Sequence, residues 1–151
     1  MGKQGGEKSS LFYREDMKSI LFEVYDLLKQ GLNPFLIARG LQPIKRFSLV
    51  PIPKDIFPSL CVLFRELGRA EEFSSPKKKI MKGVFNLFLI LREEGKDDSL
   101  ILDYCEAICD FLEENKPEAI FWGKCGKISP LSLNSPSKRG MNIEYEVFYL
   151  T

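Results

Sequence analysis

From Phe12 to Gln30 the apolar residues Met17, Ile20, Leu21, Val24, Leu27 and Leu28 follow the i, i+3, i+4, i+7 spacing of a buried helical face. Ser10 is placed to cap this first predicted helix, and Gly31 suits the position just past its end. Asn33-Pro34 then reads as a new start, with Asn as cap and Pro in the first turn, opening a short helix Pro34–Arg39 that stops at Gly40. Between Pro43 and Pro51-Ile52-Pro53, the alternation of Phe47 and Leu49 with Arg46 and Ser48 predicts a short edge strand over Ile44–Val50. Asp55 is placed to cap a helix running to Arg69, with Leu60, Leu63, Phe64 and Leu67 as its stripe. A further helix is expected from Pro76 or Lys77 to Leu91. It is apolar nearly all round from Val84 onward, so it is expected to be central, although a strand over Val84–Leu91 is the other reading of so short an apolar run.

After a turn at Glu94–Asp98, capped by Asp97 or Asp98, the residues Ile101, Tyr104, Cys105, Ile108, Phe111 and Leu112 form a one-sided helical stripe that ends at Asn115-Lys116-Pro117. The chain then changes period. Ala119–Trp122, Lys127–Leu133 and Asn142–Leu150 read as strands separated by Gly, Pro, Asn and Ser. The expected fold is α+β, with four to five helices packed on a small C-terminal antiparallel sheet. Residues 10–151 form one domain behind a flexible basic tail, Met1–Ser9.

Composition narrows the chemistry. Apolar residues make up 44% of the chain, charged residues 28%, and the net charge is +1, so no global pull toward nucleic acid or anionic membrane is encoded. There is no histidine, which removes the commonest general base and zinc ligand and points away from an enzyme. Cys61, Cys105, Cys109 and Cys125 fall in apolar runs and read as buried thiols. Without an activating base or paired ligand spacing they make neither a catalytic nucleophile nor a metal site. No phosphate-binding glycine loop occurs, and no cofactor is expected. Asp103, Glu106 and Asp110 share a helical side and read as a solvated face rather than a catalytic pair. The N-terminus has no apolar signal region and no run is long enough to span a membrane, so an intracellular location is expected, cytoplasmic or nuclear. Gly2 is a partial match to a myristoylation site.

Charge is sharpest at Lys77, Lys78, Lys79 and Lys82. Cations at a helix start oppose its dipole, so helix stability gives a poor reason for them there. Together with Lys138 and Arg139 in the SPSKRG loop they are the candidate surface for phosphates, nucleic acid or an anionic membrane. The Leu27–Ile44 stretch is laid out loosely like a helix-turn-helix, and two C-terminal strands around a basic loop have the layout of a winged helix. A nucleic-acid-binding regulator is therefore the second reading. Phe121 and Trp122 are the candidate protein interface. The size, basic tail and helices leading into short strands are similar to those of small viral matrix and accessory proteins, which implies a structural role. The first reading is a non-enzymatic interaction or assembly protein whose partner is another protein or a second copy, with no small-molecule substrate.

Overall fold

The computed structural model describes residues 5–51, 55–71, 79–92, 97–135 and 137–150, with the side chains of the first helix described from Lys18 onward. In chain order it runs α1 (Gly5–Ala38), β1 (Arg46–Ser48), β2 (Ser59–Arg69), β3 (Ile80–Arg92), α2 (Ser99–Glu114), β4 (Trp122–Pro130) and β5 (Lys138–Leu150). The strands make one sheet in the order β1-β2-β3-β5-β4, antiparallel throughout except for the parallel β1–β2 pair.

This corrects the expected four to five helices on a small C-terminal sheet: among the described residues, two helices pack on a five-stranded sheet that begins at Arg46. Three expected elements change. The first and second expected helices are one. Ile20, Val24, Leu28, Leu32 and Leu36 are all buried at a spacing of four, and that seam passes straight through the supposed break at Gly31–Pro34. Pro34 frees the carbonyl four residues back, on Gln30. Both residues are exposed, so water satisfies that group and the helix continues. Gly31 does not end the helix but lets α2 approach, since a Cβ there would lie 2.9 Å from Cζ of Phe111. The real end is Gly40, at φ 77°. Its N–H donates to the carbonyl of Ile37 and that of Leu41 to Leu36, a Schellman closure. With Pro34–Arg39 inside α1, the helix-turn-helix corner is absent, while the two expected strands around the basic loop are present as the antiparallel pair β4–β5, on a sheet instead of beside a recognition helix.

The expected helices Asp55–Arg69 and Lys77–Leu91 are strands β2 and β3. Along β3 the odd positions Met81 to Leu91 are all buried, the period of two that marks a strand. On this inner face the register sets Leu60 beside Leu89 and Met141, Val62 beside Leu87 and Ile143, and Phe64 beside Phe85 and Tyr145. α1 and α2 cover these rungs with Leu28, Leu32, Ile101 and Ile108, all fully buried. Burial of each such side chain contributes about 1.5–3 kcal/mol. α2 follows the expected stripe, with Ala107 added to its buried residues. β1 lies at the sheet edge as expected, and β5 contains the expected Asn142–Leu150 run. The strands expected at Ala119–Trp122 and Lys127–Leu133 are one strand, β4, broken by a register shift between Cys125 and Ile128.

Polar side chains fasten the loops to this core. Asn33, expected as a cap, instead faces Ile44. Its Nδ2 donates to the Ile44 carbonyl at 3.0 Å and its Oδ1 accepts from the Ile44 N–H at 2.7 Å. Tyr104 OH donates to the Gln42 carbonyl at 2.7 Å, and Tyr25 OH to that of Phe47 at 3.3 Å. Asn33→Ala leaves both backbone groups of buried Ile44 without these partners. The variant is expected to lose about 2–3 kcal/mol in urea unfolding with an unchanged m-value; Asn33→Asp, which keeps the acceptor, is expected to lose less.

Candidate functional site

The outer face of the sheet carries no helix among the described elements. Its side chains come from the even positions of β3 and β5, together with Cys61, Leu63 and Arg65 of β2 and Trp122 and Lys124 of β4. At mid-sheet this face is closed by polar contacts. Arg65 Nη1 donates to Glu144 Oε2 at 2.8 Å, reaching across β3 over Asn86. The Oδ1 atoms of Asn86 and Asn142 are buried beside it without a hydrogen-bond partner among the described residues.

At the β5 C-terminal end the face becomes aromatic and apolar. The Trp122 ring stacks on that of Phe148, centroids 4.9 Å apart and planes 21° from parallel. The stack buries Phe148 to 2% exposure and leaves Trp122 at 41%. Leu150 flanks it at 57% exposed, and Phe121, the residue before Trp122, is 47% exposed. Phe121 is fixed by its backbone N–H, which donates to the Phe148 carbonyl, so these residues occupy the same corner because β4 joins β5 there. Lys124 Nζ sits 5.2 Å from the Trp122 ring centre, within cation–π range. Lys82 and Lys124 approach one carboxylate oxygen of Glu146, at 3.6 and 3.7 Å. The two cations share this one carboxylate, and Glu66 lies on the same face two strands away, opposite Val84.

The candidate basic surface is divided by the register. Lys77 and Lys78 lie outside the described residues, while Lys79 immediately precedes β3 and Lys82 lies near its start. Lys138 and Arg139 open β5, opposite Arg92 and Leu91 at the far end of β3. Ten residues of strand separate Lys82 from Arg92, about 33 Å at strand rise. Lys138 pairs with Asp55 at 3.3 Å and sits over the Phe57 ring; Arg139 pairs with Asp98 at 2.7 Å. The two groups of cations therefore do not make one patch. Lys82 instead lies opposite Phe148 in the row that ends at Trp122, a neighbourhood that only the β3–β5–β4 register assigns.

On the inner side, Cys109 of α2 and Cys125 of β4 are free thiols that are only partly covered, unlike buried Cys105. Sequence reasoning treated all four cysteines alike, because nothing in the spacing of Cys109 and Cys125 signals that α2 packs on β4. Among the described residues, no three His, Cys, Asp or Glu side chains gather as a metal site, and no helix is long and apolar enough to cross a membrane.

Burial pushes the Cys105 thiol up from 9.0 to about 12, with Cys109 adding to the rise. The unfolded chain releases this proton near the ordinary thiol value while the folded chain holds it. The stabilising contribution is thus complete below the ordinary value and is lost as pH climbs toward 12. Between pH 9 and 12 stability measured in urea is expected to fall, and in Cys105→Ala the fall is expected to be shallower by about one proton, roughly 1.4 kcal/mol per pH unit at most.

No protein-family model matches this chain, and no curated protein matches it. Among solved structures, the chain is similar to one from the virion of a native gene transfer agent (GTA) particle, at 13% identity and a TM-score of 0.49, over 85% of this chain and 92% of that one.

Proposed function

We propose that the protein is a non-enzymatic assembly protein that docks another protein chain on the Phe121–Trp122–Leu150 corner of its outer sheet face. The observation that supports this reading is the exposure of Trp122 and Leu150 at the Trp122–Phe148 stack, on a sheet face without a helix among the described residues, with exposed Phe121 next to Trp122 in the chain. Exposed aromatic residues over a packed base, with basic groups at the margin, have the make-up of an interface hot spot. β4 adds an edge, since its only strand partner in the sheet is β5. Lys82 and Lys124, which share Glu146, suit a partner carrying both apolar groups and carboxylates.

The chain itself presents such a surface. The outward side of α2 bears exposed Leu102, Asp103, Glu106 and Glu113. A second copy offering this side to the Trp122 corner would make a head-to-tail contact between unlike surfaces, the kind that builds rings or filaments. Light scattering across a concentration series is expected to show a mass above 17.4 kDa that falls as salt is raised. Trp122→Ala and Leu150→Glu are each expected to shift the protein to monomer, with at least a tenfold rise in the dissociation constant, about 1.4 kcal/mol or more. A monomer at every concentration, in wild type as in the variants, overturns self-assembly.

A further inference from the structure

The end of the sheet away from Trp122 holds a cavity that the docking corner does not use. Its volume is about 450 Å³, within the roughly 300–1,000 Å³ usual for small-molecule pockets. Four pieces of chain wall it: residues 40–45 after α1, Phe57-Pro58 before β2, the last residues of β3, and the first turns of α2. Hydrogen bonds join these pieces in pairs. The Lys45 N–H donates to the Pro58 carbonyl at 2.9 Å, and Tyr104 OH donates to the Gln42 carbonyl at 2.7 Å. The walls therefore stand in place before any ligand arrives.

The lining divides by chemistry. Leu41, Phe57, Leu91 and Leu100 make an apolar side, and Leu100 is left 39% exposed in the first turn of α2. Exposed Lys45 and Arg92 supply charge, and among the described residues no carboxylate lines the cavity. The described carboxylates nearby are engaged elsewhere. Asp98 pairs with Arg139 at 2.7 Å, and Asp97 accepts from Ser99. Asp55 lies 3.3 Å from Lys138 and 3.7 Å from Arg92, the latter beyond hydrogen-bond reach. Lys45 makes no ion pair among the described residues.

We propose that this cavity binds a small amphipathic monoanion, an apolar body carrying one carboxylate. The carboxylate lies between Lys45 and Arg92, and the body lies against Leu41, Phe57 and Leu100. A guanidinium offers a carboxylate two parallel N–H donors, and a lysine adds a second charge without a fixed direction. The Arg92 guanidinium sits 5.4 Å from the Phe57 ring centre, a contact that orients it without using its donors. Pairing such a head group with an apolar wall selects for a ligand that has both parts, since neither a bare anion nor a neutral chain satisfies the whole lining. The assigned role is binding, without a chemical step: the Tyr104 hydroxyl is committed to Gln42, and among the described residues no cysteine lines the cavity.

The test is isothermal titration calorimetry of the full chain with sodium octanoate, with 1-octanol and inorganic phosphate as separate arms. Octanoate is expected to bind saturably at one site, about tenfold more tightly than octanol, and phosphate to give no binding over the same concentrations. Lys45→Ala and Arg92→Ala are each expected to raise the octanoate Kd by about two- to fivefold, the scale of exposed charge contacts. Leu100→Glu, which puts a carboxylate on the apolar side at an exposed position, is expected to abolish binding. Circular dichroism checks that each variant keeps its fold. Trp122→Ala, at the other end of the sheet, is expected to bind octanoate like the wild type, which keeps this site separate from the docking corner. The proposal is overturned if octanoate does not bind saturably, if octanol or phosphate binds as tightly, if the three cavity variants bind like the wild type, or if Trp122→Ala loses binding.

Discussion

The structure depends on a strand that must be covered on both sides. β3 carries Met81, Phe85, Leu87, Leu89 and Leu91 toward the helices, and Ile80, Val84, Phe88 and Ile90 toward the other face. Hydrogen-bonded along its length by β2 and β5, it occupies the centre of the sheet. The inner side is closed by α1 and α2. The outer side is closed by neighbouring side chains instead: Trp122 lies on Phe148, and Arg65 reaches over Asn86 to Glu144. That second closure is incomplete at one end, which is where the exposed corner arises.

The same two-sidedness explains what was and was not legible in the sequence. α2 and β5 each bury one side in a regular period, so their patterns matched one template, and both were placed. β3 is apolar at odd and even positions alike, which hides a period of two and imitates a helix buried all round. β2 was misread because Leu60, Leu63, Phe64 and Leu67 also satisfy a helical spacing. A register shift between Phe64 and Glu66 moves Leu67 back to the inner side, so its strand alternation is broken midway. In α1 the local punctuation of Gly31, Asn33 and Pro34 competed with the seam from Ile20 to Leu36. Tertiary packing decided in favour of the seam, because Gly31 serves Phe111 and Asn33 serves Ile44.

Candidate residues were legible as chemical types but not as neighbourhoods. Lys82 and Lys138 looked like parts of one basic surface, yet antiparallel pairing puts them at opposite ends of the same two strands. Each has its own carboxylate nearby, and exposed pairs of this kind contribute about 0–1 kcal/mol. Their effect is to localise charge more than to hold the fold. Phe121 and Trp122 stood out as exposed anchors from their composition alone. What the register adds is Lys124, Phe148 and Leu150 beside them.

The exposed aromatic corner belongs to β4, whose Cys125 faces the opposite side of the sheet. An edge strand is where a sheet can gain a partner or shift without breaking its core. β4 is anchored through Trp122–Cys125 to β5, then slips register before Ile128, so its first half is the part held in place. Trp122 and Cys125 sit in that half, on alternate sides. The alternation of one short strand therefore sets Trp122 on the open face and Cys125 on the helix side.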